Sequence, residues 1–405
     1  MVAKTEAPAK PGATFHRVKL GDARDMSAVS DESVDLVVTS PPYPMIEMWD
    51  EIFSNLRPEI SDALEGEDGG RAFQLMNEVL DEVWAEVSRV LRPGGIACIN
   101  IGDATRTIGG NFALYPSHAR ILTAFMVLGF TPLPEILWRK QTNAPNKFMG
   151  SGMYPPGAYV TLEHEYVLVL RKGSKREFSS TEAKLNRRQS SYFWEERNHW
   201  FSDVWFDLKG TRQSLFDKEA RSRSGAYPFE LPYRLINMFS VRGDTVLDPF
   251  LGLGTTTLAA MASERNSVGY EIDSTLAARI AGHAEGIVSI ANERIEDRLR
   301  EHAKFVTERR ESKGSFGYRN EFYGFPVVTK QEVDFRLRSL SGLRKESDSQ
   351  LAVDYASGPQ EEFLEDWDWF FSEGGERPAP RSKKPKRTQG TGTKQLGFDF
   401  DTDGS

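Results

Sequence analysis

Two short segments, far apart in the chain, combine residue types that could do chemistry: Thr39-Ser-Pro-Pro-Tyr-Pro44 and Asp248-Pro-Phe-Leu-Gly-Leu-Gly-Thr-Thr256. In the first, consecutive prolines fix the backbone and remove two amide donors, so nearby carbonyls are left as acceptors suited to an –NH2 group. Ser40 adds a hydroxyl that can accept from or donate to the same amine, and Tyr43 offers a face for a planar ring. Those groups answer a particular chemical problem. The exocyclic amine of a base is a poor nucleophile because its lone pair is delocalised into the ring. Acceptors on its hydrogens push the nitrogen toward a pyramidal shape, from which it can attack a sulfonium methyl directly. Such catalysis is positional and electrostatic, without a covalent intermediate. Carbon-5 methylation of cytosine would instead need a cysteine nucleophile. Cys98, the single cysteine, lies inside a predicted buried strand with no preceding proline and reads as core.

The second segment reads as a cofactor loop. Gly252 and Gly254 allow a tight strand-to-helix turn with no Cβ to block a ligand. Thr255 and Thr256 open the next helix, whose free amides can meet a ligand oxygen. Glu271, roughly twenty residues on at the end of the next strand, stands where an acid hydrogen-bonds ribose hydroxyls. No Gly-Lys-Ser/Thr follows the glycines, which excludes a phosphate-cradling P-loop, and Thr257 occupies the place of the third glycine of a dinucleotide loop. An adenosine-bearing ligand without a pyrophosphate fits, and S-adenosylmethionine is the obvious candidate. A G-x-G also serves plain structural turns, and Pro-Pro-Tyr stiffens ordinary loops. Their occurrence in one chain favours the chemical reading.

The elements that must position these groups are βα units. Apolar, β-branched runs at Val34–Val38 and Thr245–Leu247 place each segment at the carboxyl end of a buried parallel strand, opening onto a cleft. Further strands are predicted at 17–20, 96–101, 134–138, 166–170 and 267–272. Helical spacing marks Phe73–Leu91, stopped by Arg92-Pro-Gly-Gly95, and then Pro116–Leu128, Glu230–Phe239, Thr255–Ser263 and Ser274–Glu311, the last as one long helix or two shorter ones. A chain of 405 residues with 27% charged and 39% hydrophobic residues has room for a sizeable core. Its apolar runs are too short to span a bilayer, and the start carries no signal-peptide core. With one cysteine and 6 histidines, no disulfide framework or metal spacing appears, so a cytoplasmic, metal-independent protein is expected. A net charge of −8 argues against a nucleic-acid partner only weakly, because phosphate affinity depends on local basic patches.

At these residues the chain resembles the DNA amino-methyltransferases that modify cytosine at N4 or adenine at N6. Ser40-Pro41-Pro42-Tyr43 matches that family's catalytic tetrapeptide, [Asp/Asn/Ser]-Pro-Pro-[Tyr/Phe]. Asp248 to Thr256, with Phe250 included, matches its cofactor motif apart from Leu253 in place of a serine. The resemblance covers roughly Arg17 to Asp273. It implies a Rossmann-like α/β fold with a mostly parallel sheet, S-adenosylmethionine as cofactor, Glu271 at the ribose and Asp22 near the adenine amine. Catalytic motif first and cofactor motif last resembles the permuted beta group, with a target-recognition region between the two. Glu163-His-Glu165 and Tyr227-Pro-Phe-Glu-Leu-Pro232 also resemble segments found there. A serine before the prolines is typical of cytosine-N4 enzymes, an aspartate of adenine ones.

The expected organisation is a disordered lead-in (1–15), a catalytic half (16–172), a target-recognition region (173–225), a cofactor half (226–290), a helical and aromatic extension of unassigned role (291–372) and a disordered tail (373–405). Double-stranded DNA is the expected partner, its target base flipped into the site. Arg187, Arg188, Trp194, Trp205 and Arg212 in the basic, aromatic middle region, with Lys147 and the neighbouring Asn143 and Asn146, are the candidates for contacting it. An ordinary insertion with a charged surface is the less favoured alternative for that region. A cognate restriction endonuclease would be a second partner. Gln395-Leu-Gly-Phe-Asp-Phe400 resembles the short peptides by which bacterial DNA enzymes bind the sliding clamp, although an inert tail is the favoured reading. Three rival functions stand beside cytosine-N4 methylation: methylation of adenine N6 on the same fold, methylation of RNA or of a small molecule, and a non-catalytic specificity or regulatory subunit.

Overall fold

In the computed structural model, residues 12–140, 149–208, 227–312, 314, 316–364, 367 and 370 are described. Residues 1–365 form one compact unit, to which nearly all of these belong, and 366–405 form a second. In chain order the strands are β1 (Ala13–Leu20), β2 (Val34–Thr39), β3 (Leu91–Ile101), β4 (Ala104–Ile108), β5 (Asn111–Tyr115), β6 (Phe130–Arg139), β7 (Met149–Gly150), β8 (Ala158–Tyr159), β9 (His164–Lys172), β10 (Val204–Trp205), β11 (Thr245–Asp248), β12 (Asn266–Glu271), β13 (Tyr318–Arg319), β14 (Pro326–Val327), β15 (Leu340–Ser347) and β16 (Gln350–Tyr355). The helices are α1 (Asp50–Leu56), α2 (Glu59–Glu65), α3 (Gly69–Val90), α4 (Ser117–Val127), α5 (Thr181–Gln189), α6 (Trp194–Trp200), α7 (Glu230–Phe239), α8 (Thr255–Ala262), α9 (Ser274–Ala284) and α10 (Ile287–Glu311).

Ten strands form one sheet in the order β10-β6-β9-β3-β2-β11-β12-β1-β16-β15. Its centre, β3-β2-β11-β12-β1, is parallel throughout. On one flank β9 runs antiparallel to β3 and β6, and on the other the β15–β16 hairpin adds antiparallel to β1. Val37 of β2 and Leu247 of β11 join the apolar face of α3, with Leu75, Val79, Val83 and Val87, in one core cluster. Alternation sends Leu36 and Val246 to the opposite face, where α7 packs on β2 and α8 on β11 and β12. Helices on both faces of a parallel sheet make the fold a Rossmann-like α/β layer structure, as the family resemblance implied. Among the described residues, no helix is long and apolar enough to cross a membrane.

Several boundaries differ from expectation for local reasons. The first strand starts at Ala13, because residues 13–17 pair with β16. Arg92-Pro-Gly-Gly95 does end α3, but it loops out within β3: Val34 pairs with Leu91 and Leu36 with Ile96. Gly94 sits there at φ +81°, and a Cβ would lie 2.7 Å from the Arg176 nitrogen. Ser274–Glu311 is two helices, separated at Glu285 and Gly286. In the 291–372 stretch the long helix ends at Glu311; beyond it the described residues form β13 to β16 and short 3-10 turns at Lys330–Glu332 and Glu361–Phe363, and β15 and β16 extend the main sheet. Cys98 is fully buried in β3, its thiol pushed upward by burial.

Candidate active site

The sheet order reverses around β11, which lies between β2 and β12, so a crevice opens at the carboxyl ends of β2 and β11. The Ser40–Tyr43 segment leaves β2 there and the glycine loop leaves β11. Both border one cavity of about 360 Å³, whose wall includes Ser40, Pro41, Pro42, Tyr43, Phe250, Gly252, Glu271, Ile272 and Asp22.

The cofactor side is built around two carboxylates with different tasks. Glu271, at the end of β12, accepts from the Gly252 amide at 2.7 Å through one oxygen and from the Asp273 amide at 2.8 Å through the other. Burial raises its pKa, and the two amide bonds oppose that rise. Asp248, expected among the ligand contacts, is instead turned into the protein and is no part of the cavity wall. It accepts from Thr39 Oγ1 at 2.6 Å, the Phe250 amide at 3.1 Å, Thr256 Oγ1 at 2.5 Å and the Tyr227 hydroxyl at 3.3 Å. The correction has a physical reason: a carboxylate 3% exposed needs donors, and the strand ends supply them. Asp248 thereby fastens the residue before Ser40 to the glycine loop. Thr256 is spent on that clamp, whereas Thr255 Oγ1 is buried without a hydrogen-bond partner among the described residues. Gly252 and Gly254 take φ values of +55° and +83°, and a Cβ on Gly252 would have no atom within 4 Å. Phe250 is held edge-on to Trp84 at 5.9 Å between centroids. An open turn at Gly252, an apolar wall and a carboxylate at the adjoining strand end fit the adenosine-bearing ligand expected from the sequence, whereas Gly254, Thr255 and Thr256, also expected to touch it, are not on the cavity wall. Asp22 lies on the same wall, paired with Arg24 at 2.7 Å.

The platform side contains three residues that the sequence reasoning did not assign a role. The Tyr43 hydroxyl donates to Glu165 Oε2 at 2.9 Å and accepts from Asn100 Nδ2 at 2.9 Å. Ser40 Oγ donates to the Tyr43 oxygen at 3.2 Å. Asn100 also donates to Glu165 Oε2 at 2.8 Å, and Lys140 Nζ reaches Glu165 Oε1 at 2.6 Å. Burial, and then the negative charge of Glu165, hold the Tyr43 phenol well above its usual range, so it remains a donor. Gly102 makes the packing possible, since a Cβ there would stand 2.9 Å from the Tyr43 ring. Glu165 belongs to the Glu163-His-Glu165 segment noted above. The signal that marks its role is a carboxylate only 8% exposed at the start of an apolar strand.

The proposed DNA contacts divide differently. Lys147, Arg212, Asn143, Asn146 and the Gln395–Phe400 peptide lie outside the described residues. Trp205 is corrected: it is 1% exposed in β10, its indole donates to the Trp200 carbonyl at 3.0 Å, and Arg234 covers its ring. Trp194 is half-buried, stacked beside Phe305 with Arg309 over its face. Arg188 pairs with Asp334 at 2.5 Å, and the Arg187 guanidinium lies over Phe178 at 4.8 Å. The aromatic residues of this region mainly anchor it to α10 and the sheet edge, with arginines of α7 and α10 laid over the rings of Trp205, Trp200 and Trp194.

Residues 34–281 match the DNA methylase family N6_N4_Mtase. The type II methyltransferase M.MthZI of Methanothermobacter thermautotrophicus is 53% identical over 325 residues, 80% of this chain and 90% of that protein. The type II methyltransferase M.MjaI of Methanocaldococcus jannaschii is 52% identical over 65% of this chain and 89% of its own length. This chain belongs to the DNA methylase family. Among solved structures, TTHA0409 of Thermus thermophilus, in complex with S-adenosyl-L-methionine, is 32% identical with a TM-score of 0.52, over 67% of this chain and 94% of that one. The methylase match spans both motifs and every residue of the Tyr43–Asn100–Lys140–Glu165 cluster.

Proposed function

We propose that this DNA methylase is site-specific and transfers a methyl group from S-adenosylmethionine to the N4 amine of cytosine in duplex DNA, with the target base flipped out. The observation that carries the reading is the shared cavity: the Ser40–Tyr43 platform and the Glu271–Gly252 corner open into one space. S-adenosylmethionine supplies the electrophilic methyl group. Glu271 is suited to hold ribose hydroxyls, Phe250 and Ile272 to flank the adenine, Asp22 to meet the adenine amine, and the turn at Gly252 to receive the remaining polar end. Asp248 serves by keeping that turn in register with the platform.

On the substrate side, the direction of the hydrogen bonds matters. Asn100 donates to the Tyr43 oxygen and Tyr43 donates to Glu165, so the Ser40 hydroxyl hydrogen is directed at Tyr43. Asn100 Nδ2 also makes a long 3.5 Å bond to Ser40 Oγ, which leaves the second Ser40 lone pair to accept from the base amine. Tyr43 provides the stacking face, and Pro41 and Pro42 hold the chain still. The choice of cytosine rests on serine, a neutral group, standing before the prolines. The relatives are type II methyltransferases by name, and a cognate restriction endonuclease belongs to the same reading, as does a clamp contact through Gln395–Phe400.

The test is to incubate the protein with labelled S-adenosylmethionine and mixed-sequence duplex DNA, digest the DNA and identify the methylated nucleoside by mass. N4-methylcytosine that disappears in Ser40→Ala is the expected result. N6-methyladenine would keep the fold and mechanism and overturn the base assignment. Cofactor binding without any methylated nucleoside would favour a non-catalytic subunit.

A further inference from the structure

We propose that the β7–β8 hairpin enters the DNA duplex and occupies the gap left when the target base turns out into the cavity. The inference rests on the reading of the cavity as a site for a flipped base. Its first support is position. The segment between β6 and β9 leaves the sheet at a closed neck, where the Lys140 amide donates to the Glu163 carbonyl at 2.8 Å and Arg139 pairs with Glu163 at 2.8 Å. Lys140 and Glu165, on the two sides of that neck, are themselves on the cavity wall. What projects beyond the neck therefore projects from the rim of the site.

The second support is composition combined with exposure. From Met149 to Leu162 there is no charged residue, in a chain that is 27% charged. Met153 is 81% exposed, Tyr154 79% and Val160 84%. Large apolar groups left this open on a protein surface mark a patch that is covered in use. Phosphates are met by cations, which this tip lacks; the interior of a base stack accepts apolar wedges and penalises charge.

The third support is that the hairpin is built to present its tip. Met149 pairs with Tyr159 and Gly150 with Ala158, and the Ser151 amide donates to the Gly157 carbonyl at 2.9 Å. Gly150 has φ +66°, and a Cβ there would fall 2.1 Å from the Gly157 oxygen, so only glycine closes this turn. Tyr159 stacks on Phe112 of β5 with centroids 4.6 Å apart and planes within 3°. That stack braces the hairpin against the β4–β5 ribbon and leaves Met153 and Tyr154 outward.

Base flipping breaks stacking on both sides of the target, and a wedge offsets that loss only where the base was stacked and paired. The test compares two duplexes carrying the sequence that the wild-type enzyme methylates: one fully paired, the other with an abasic position opposite the target base. The double variant Met153→Ala/Tyr154→Ala should lose at least about tenfold in rate on the paired duplex and stay within about threefold of wild type on the abasic one. Tyr154→Trp should keep the paired-duplex rate and Tyr154→Asp should lose it, with S-adenosylmethionine affinity by equilibrium dialysis the same in all. Equal losses on both duplexes, or no loss on either, would overturn the proposal; the latter is what a tip serving a protein partner would give. If the wild-type enzyme methylates no duplex DNA in the nucleoside assay, there is no such sequence to build on, and the reading of the cavity fails first and the hairpin role with it.

Discussion

At the residue scale, the site depends on side chains whose partners are charged and nearly dry. Glu165 takes three hydrogen bonds, from Tyr43, Asn100 and Lys140. Replacing it with glutamine keeps its shape and removes its charge, so the amide must turn one donor toward a neighbour that already donates. Hydrogen bonds to charged groups contribute about 1.5–3 kcal/mol, so Glu165→Gln should lower kcat roughly ten- to a hundredfold. S-adenosylmethionine affinity should stay constant, because Glu165 has its hydrogen bonds on the platform side and none to the Glu271 corner; steady-state kinetics alongside equilibrium dialysis separates the two. Glu271→Ala should do the reverse. Losing a carboxylate able to bind both ribose hydroxyls should raise the cofactor Kd by roughly ten- to a hundredfold. A Glu165→Gln variant that weakened cofactor binding, or a Glu271→Ala variant that did not, would reverse these assignments.

At the element scale, the decisive object is the junction between β2 and β11. Thr39 and Asp248 end adjacent strands, and their 2.6 Å hydrogen bond ties the platform to the cofactor turn. Thr39→Val removes one donor from a buried carboxylate without changing volume much. It should cost about 1–3 kcal/mol, read from the urea midpoint, and weaken cofactor binding through the loosened turn. Unchanged stability would show that Asp248 is satisfied without Thr39. Both motifs were legible in the sequence because their signals are local: a β-branched run, then turn residues with fixed φ requirements. The Glu165 cluster was not, because Asn100, Lys140 and Glu165 come from β3, the end of β6 and β9, and antiparallel register is invisible in one sequence. Trp205 misled for another reason. Tryptophan and arginine interleaved can mean a nucleic-acid face or a core with arginines laid over its rings, and here Trp205 and Trp200 are core. The β15–β16 hairpin escaped because β15, an edge strand, carries Arg344, Lys345 and Glu346, which hide its alternation.

At the scale of the whole molecule, the sheet is closed on one side by contacts that depend on pH. His16 of β1 is fully buried between Thr14 Oγ1 and Ser267 Oγ, each 2.9 Å away, the latter on β12. Thr14 in turn meets the Tyr355 hydroxyl of β16 at 2.8 Å, and that hydroxyl reaches the Met261 carbonyl of α8 at 2.7 Å. One imidazole thus stands in a chain of bonds joining three strands and a helix. Burial lowers its pKa from 6.5 to about 3. In the unfolded chain the ring takes a proton below pH 6.5, while in the folded protein it stays neutral down to about 3. Over that window the unfolded state binds more protons, so the stability held above pH 6.5 drains away as the pH falls. The expected slope is about 1.4 kcal/mol per pH unit from this one group. Carboxylates with lowered pKa values, such as Glu86 beside Arg89, contribute only further down, near their own unfolded range. Urea denaturation at about pH 7 and about pH 5.5 should therefore show a loss in the wild type that is largely absent in His16→Asn. The variant's absolute stability can fall at both pH values without touching the argument, because the slope is what belongs to the buried imidazole. Equal slopes in the two proteins would mean that His16 is protonated in the fold at the lower pH, and that the β1–β12 seam tolerates its charge.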